Sequence, residues 1–245
     1  MNDGITRLGL IYPTGGGEYE YYKFAEAVDY RVRPLVVCAQ SYGEDFGHDP
    51  AALRRTGSLE SLERTARSLL PLDPDSAIWA CTSGSFIDGR ALAEAQAEMI
   101  ARVVGCPASS TSLAFVHALE ALGIDRVAVL GSYIEVTTRA FTAFLGEFGI
   151  GIENFKWLGA PGGQDAFDFS REMMLAEARD VDVPGAGAIL IPDTAMAAMH
   201  LIEPLEAELG KPVLTANQVT LWESLRLAGA ARAMPGYGRL FQHAV

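Results

Sequence analysis

The chain is poor in the groups that bind metals, nucleotides and polyanions. Its three cysteines (Cys38, Cys81, Cys106) and four histidines are scattered, without the short Cys/His spacings that build a metal site, so no metal is expected. Neither G-x-G-x-x-G nor G-x-x-x-x-G-K-[ST] occurs, and the second strand runs into Gln40 rather than the acidic residue a dinucleotide ribose needs; no nucleotide or other cofactor is expected. Lysine and arginine are outnumbered, leaving a net charge of −12, which argues against nucleic acid or an anionic membrane as partner, since both need a basic face. No run of about 18 apolar residues exists to span a bilayer. The opening MNDGITRLGLIYP passes from an acidic start into a strand-like run without the basic and apolar regions of a signal peptide. With an odd cysteine count, that makes a reduced, cytoplasmic setting the expectation.

What is there is a long alternation of apolar runs and amphipathic stretches. At 49% hydrophobic and 20% charged over 245 residues, the chain has enough apolar surface for one large or two small cores. Arg7 to Tyr12 reads as a first strand, followed by a glycine-rich loop PTGGGEYEYY whose backbone N–H groups can approach a small anion. Leu35 to Ala39 makes a second strand with Cys38 in the core. Gln40 to Pro50, with Glu44, Asp45, His48 and Asp49, reads as a solvated loop able to cover a site. Leu59 to Leu69 has helical periodicity. Cys106, between a helix and a short extended segment, reads as packing.

Ser76 to Phe86, SAIWACTSGSF, organises the rest. An apolar run predicts a buried parallel strand ending at Cys81, and Thr82, Ser83, Gly84 and Ser85 open a helix expected to continue to Val104, with Gly89 to Val104 as its Ala-rich part. In open α/β sheets chemistry gathers at the carboxyl ends of strands, where helix-start N–H groups can hold an anion. Such surroundings lower a thiol pKa, so Cys81 is the candidate reactive group.

From Asp125 the pattern restarts. Arg126 to Leu130, Gly151 to Leu158, Ala188 to Ile191 and Pro212 to Thr215 read as strands. Helices are expected from Tyr133 to Phe148, Ala166 to Val181, Met196 to Leu209 and Gln218 to Ala228. Alternating strands and helices mean helix-covered parallel sheets. Gly105-Cys106-Pro107 with its following helix is echoed by Gly210-Lys211-Pro212 with its own, and the turn at Cys81 by a turn at Asp193. The repeat predicts two pseudo-symmetric, Rossmann-like α/β lobes with an active site in the cleft between them: residues 1–115 plus 230–245, and residues 116–229. Cys81 and Asp193 should then face each other.

The Cys-Thr-Ser turn, the second turn at Asp193, Gly131-Ser132-Tyr133, the stretch from Gly210-Lys211-Pro212 through Asn217-Gln218 to Gly229, and Pro235-Gly236-Tyr237-Gly238-Arg239-Leu240-Phe241 together resemble the aspartate/glutamate racemase superfamily. Within it they are most similar to the branch of arylmalonate decarboxylase and maleate cis–trans isomerase. The resemblance implies cofactor-free chemistry at a carbon beside a carboxylate. Racemases of this kind use a cysteine on each face of that carbon. Maleate isomerases use the first-half cysteine as nucleophile, and arylmalonate decarboxylase keeps only the second-half cysteine as proton donor. This chain has Cys81 in the first half and Asp193 where the second cysteine would stand. By the same resemblance Thr82, Ser83 and Tyr133 hold a substrate carboxylate, and Pro13, Thr14 and Thr194 line the pocket. Helix capping is the structural alternative for Thr82 and Ser83, and core packing for Tyr133.

Asp193 admits three roles: acid or base opposite Cys81, partner of a substrate ammonium, or cap of a following helix. The expected function is cofactor-independent decarboxylation of a small (aryl)malonate-type acid through an enediolate, with Cys81 as proton donor. Maleate isomerisation through a Cys81 adduct, or racemisation by Cys81 with Asp193, are the alternatives. A small-carboxylate-binding protein with an inert Cys81 is the non-enzymatic one. The partner is a small carboxylate, and a homo-oligomer is compatible with this reading.

Overall fold

The computed structural model describes residues 4–13, 16–39 and 47–242. Eight strands are β1 Thr6–Tyr12, β2 Val32–Cys38, β3 Ser76–Trp79, β4 Ala108–Ser110, β5 Arg126–Tyr133, β6 Gly151–Ala160, β7 Ala188–Ile191 and β8 Val213–Thr215. Eleven α-helices among the described residues are α1 Tyr19–Ala27, α2 Pro50–Thr56, α3 Leu59–Ala66, α4 Thr82–Phe86, α5 Gly89–Val104, α6 Thr111–Leu122, α7 Glu135–Gly146, α8 Gly163–Phe167, α9 Arg171–Val181, α10 Ile202–Leu209 and α11 Ala216–Leu227.

The strands form two four-stranded sheets of the same topology, β2-β1-β3-β4 and β6-β5-β7-β8, parallel throughout. Both are the α/β sheets the alternation predicts. β3 and β7 are buried at every residue, the signature of a parallel strand covered on both faces, which is why SAIW and AILI carry so little polarity. Helix α11 follows the second sheet but packs on α6 and on β1, β3 and β4 of the first. One apolar core accordingly runs through both halves, from Leu8 and Ile78 to Val129 and Leu214.

Several elements differ from the sequence expectation. Helix α1 begins inside the supposed loop at Tyr19, because Tyr21 and Phe24 point into the core. The Cys81 helix is interrupted: α4 ends at Phe86, and α5 starts after Asp88, with Gly89 at φ +80°. A left-handed glycine allows that sharp restart where other residues would be strained. The 166–181 helix is likewise two pieces, α8 and α9, and α3 passes into a 3-10 turn at Arg67–Leu72, which contains Pro71. Strand β6 runs two residues further than expected, to Ala160. Cys38 is exposed at the end of β2 rather than in the core, its thiol reaching the Pro13 carbonyl at 3.4 Å.

Candidate active site

Because the two sheets share one topology, their central strand ends meet in equivalent places. Cys81 lies two residues beyond β3 and Asp193 two beyond β7. Both line one cavity, with Tyr12, Pro13, His48, Ser83 and Thr194 among its other walls. Its empty space is about 420 Å³, including the part open to solvent. Positions 81 and 193, which the repeat predicts to face each other, line the same cavity.

Cys81 itself is the N-cap of α4: its extended backbone sits at φ −144°, ψ 115°, and its Sγ accepts from the Gly84 N–H at 3.3 Å. The Ser83 hydroxyl is 3.9 Å away. The cysteine therefore occupies the position that capping would have assigned to Thr82 or Ser83. Ser85 ties the turn down by donating to the Cys81 and Thr82 carbonyls at 2.8 Å each. The thiol pKa runs opposite to expectation. Burial pushes it up to about 12, with Gly84 and Ser83 pulling it down and Asp193 adding to the rise. The donors are present as read from the sequence, but the loss of water outweighs them. In this site Cys81 is a neutral thiol.

Asp193 does not cap a helix. The chain after it is a loop, then a 3-10 turn at Met199–Leu201, and α10 begins only at Ile202. Its Oδ1 accepts from the Ala195 N–H at 2.9 Å and its Oδ2 from the Ser132 hydroxyl. His48 Nε2 stands 3.8 Å from the same Oδ2.

His48 is the residue the sequence reading misplaced, as solvated surface. It is 5% exposed and pinned to the second half of the molecule. Its N–H donates to the Pro161 carbonyl at 2.7 Å, its carbonyl accepts from Thr137 at 2.5 Å, and its Nδ1 meets the Ala160 carbonyl at 3.1 Å. Gly47 bridges to Gly162 beside it. Asp49 then caps α2 through the Ala51 and Ala52 N–H groups, and Leu53 and Thr56 of that helix complete the cavity wall. The sequence signal was Asp49-Pro50, a helix start that places the preceding His48 beside an ordered element. Glu44 and Asp45 lie outside the described residues.

Hydroxyl donors surround the thiol. Tyr133 is fully buried, edge-on to His48 at 4.8 Å and packed on Phe86 at 5.8 Å. Among the described residues no hydrogen-bond partner of good geometry meets the buried Tyr133 and Thr82 hydroxyls, although Thr82 and Ser83 lie near enough to Tyr133 to pull its pKa down. Burial followed by the nearby Asp193 and Cys81 raises the Tyr133 pKa well above 10.0. Unsatisfied buried hydroxyls are costly, and a bound carboxylate would satisfy them. Pro13 lines the cavity as expected, and Thr14 lies outside the described residues. Thr194 contributes its backbone: its carbonyl accepts from the Tyr12 hydroxyl at 2.7 Å and from Asn217 at 3.1 Å.

No lysine or arginine lines the cavity among the described residues, and no group of three or more His, Cys, Asp or Glu there could hold a metal ion. The arrangement is a pocket of neutral donors around one protonated thiol, with a histidine–carboxylate pair at its other strand end. It can hold an anion and deliver a proton to it.

The arylmalonate decarboxylase family matches residues 56–241. An arylmalonate decarboxylase from Bordetella bronchiseptica is 32% identical over 163 residues, 65% of this chain and 68% of that protein. A maleate isomerase from Nocardia farcinica is 26% identical over 254 aligned positions, 98% of this chain and 96% of that one. Among solved structures, a cysteine-to-serine mutant of a Nocardia farcinica maleate cis-trans isomerase with a covalently bound succinylcysteine intermediate superposes with a TM-score of 0.88 at 22% identity, covering 97% of this chain and 98% of that one.

Proposed function

The chain belongs to the arylmalonate decarboxylase family, and from that premise we propose that it decarboxylates a small malonate-type acid through an enediolate, with Cys81 as the proton donor. It is an enzyme of the lyase or isomerase kind. The observation that carries the decarboxylase reading is the single buried cysteine in the cavity wall, Cys81, capping α4 beside the Ser83 hydroxyl. Loss of CO₂ breaks a carbon–carbon bond and leaves its electron pair on an enediolate, a strong base. One carboxylate stays bound to the Thr82, Ser83 and Tyr133 hydroxyls, each such donor contributing about 3–4 kcal/mol where charge develops. The S–H proton of Cys81 passes to the α-carbon. The resulting thiolate, held by the Gly84 N–H, regains a proton from water.

The test is phenylmalonate in D₂O, following CO₂ release and deuterium at the product α-carbon. Cys81→Ala is expected to lose about 10²–10⁴-fold in kcat, the usual scale for removing a proton donor, with the fold intact by circular dichroism. Retention of most of the activity in the folded variant would overturn this role for Cys81.

A second reading, maleate isomerisation, is favoured by the likeness to a maleate isomerase over nearly the whole chain. It requires Cys81 to add to the double bond as thiolate. Conversion of maleate to fumarate with a succinyl adduct on Cys81, found by peptide mass spectrometry, would replace the first reading with this one.

A further inference from the structure

His48 and Asp193 raise a question of charge. Among the residues lining the cavity, the ionisable groups are Tyr12 from β1, Cys81 after β3, Asp193 after β7 and His48 before α2, with Tyr133 of β5 packed on the His48 ring. Burial raises the pKa values of both tyrosines and of the thiol, so near neutral pH they carry no charge. Among the described residues that line the cavity, that leaves the Asp193 carboxyl and the His48 imidazole, 3.8 Å apart.

A lone carboxylate here would repel the dicarboxylate that the proposed reaction needs. At about 4–6 Å two like charges interact by several kcal/mol at the effective dielectric of a partly buried site. His48 Nδ1 faces the Ala160 carbonyl, which only accepts, so Nδ1 carries a hydrogen. Nε2 then faces Asp193 Oδ2 at 3.8 Å, the separation of an ion pair rather than of a direct hydrogen bond. Asp193 already accepts from Ser132 and from the Ala195 N–H. With a proton on Nε2 the two side chains form an ion pair that is electrically neutral as a whole.

We propose that His48 is a specificity-determining residue that cancels the charge of Asp193 and so admits a doubly charged acid to a cavity without lysine or arginine among its described walls. The proposal rests on the malonate-type substrate argued above, but it concerns binding and can be tested without turnover.

The experiment measures dissociation constants of malonate, a dianion, and acetate, a monoanion, by NMR titration at pH 7 on the full chain. His48→Asn keeps an amide donor toward the Ala160 carbonyl and removes the positive charge. Malonate affinity is expected to fall about tenfold or more, and acetate affinity by clearly less, because repulsion scales with ligand charge. The double variant His48→Asn/Asp193→Asn removes both charges and is expected to recover most of the malonate affinity. Equal losses for the two acids, or no recovery in the folded double variant, would overturn the proposal. If His48→Asn does not fold, His48→Gln and Asp193→Asn alone serve instead: Asp193→Asn must not weaken malonate relative to acetate. Wild-type enzyme that binds malonate in this charge-selective way yet releases no CO₂ from phenylmalonate would sink the decarboxylase reading and leave this one standing.

Discussion

At the scale of single residues, Cys81 shows what a sequence can and cannot convey. Its place after an apolar tetrapeptide and before Thr82-Ser83-Gly84 marked it as the reactive group, and the structure sets it in a cavity as the cap of α4. Its protonation state was not legible. The donors that lower a thiol pKa are local in sequence, but the burial that raises it involves residues far from it in the chain, such as Ile11, Leu62 and Met99, which share its apolar cluster. A prediction follows for the pH profile. A thiol whose pKa stands near 12 remains protonated through the working range, so a proton-donor Cys81 gives decarboxylation no alkaline rise. A reaction begun by thiolate attack would instead gain about tenfold per pH unit while the thiol is mostly protonated. Measuring kcat between pH 7 and about 9.5 separates the two, and a steep alkaline rise that vanishes in Cys81→Ser would refute the proton-donor role.

Elements were legible where periodicity and buried runs were strong, and their interruptions were not. Cys81-Thr82-Ser83 and the following Ala-rich stretch read as one helix because nothing in the pattern marks the break at Ile87 and Asp88. At the break the Arg90 N–H donates to the carboxylate of Glu147, just past α7, and a Cβ on Gly89 would lie 2.7 Å from it, a juxtaposition no local window contains. The loop after Asp193 was read as helix for a similar reason. Its backbone is held instead by Tyr12 and Asn217, which both donate to the Thr194 carbonyl. Packing against α4 supplies a test at this scale. A Cβ on Gly57 would lie 2.2 Å from the Gly84 carbonyl and 3.0 Å from the Gln96 amide, so α4 would have to move, and Gly84 supplies the N–H that holds the Cys81 thiol. Gly57→Ala should cost about 1–3 kcal/mol of stability, as overpacking does, and should lower kcat more than it changes KM. Gly146→Ala in α7, with nothing within 4 Å, is the control and should be neutral or slightly stabilising. A Gly57→Ala protein with unchanged Tm and kcat would show that α4 is not held by this contact.

For the molecule as a whole, the repeated strand-end turns foretold the doubled sheet, because a topology used twice leaves its signature twice. What the sequence did not show is how buried charge is distributed through that frame, and two carboxyls in it set opposite pH limits on stability. Glu223, on α11, has its side chain fully buried against His117 and Arg226. Burial alone would raise its pKa, but the hydrogen bonds from His117 and Arg226 hold it down to about 2, below the ordinary 4.5. Between those values the unfolded chain binds the extra proton, so this stabilisation is present above pH 4.5 and is lost as pH falls toward 2. Glu20, on α1, is raised to about 7 by burial, against the opposing hydrogen bonds from Asn217 and the Met199 N–H. Here the folded state binds the extra proton, so stability is lost as pH rises from 4.5 to 7. Each window spans a shift worth about 3 kcal/mol at most. Tm should therefore peak between roughly pH 4.5 and 5.5 and decline on both sides. Self-repulsion from the net charge of −12 adds to the alkaline decline, but salt screens that part and leaves the buried Glu20 largely untouched. The separating measurement is Tm against pH in about 0.5 M salt. Glu223→Gln should lose stability at pH 6 and flatten the acid limb, whereas Glu20→Gln should flatten the limb between pH 5 and 7. A Glu20→Gln protein that keeps the wild-type alkaline slope at high salt would assign that slope to groups other than this buried carboxyl.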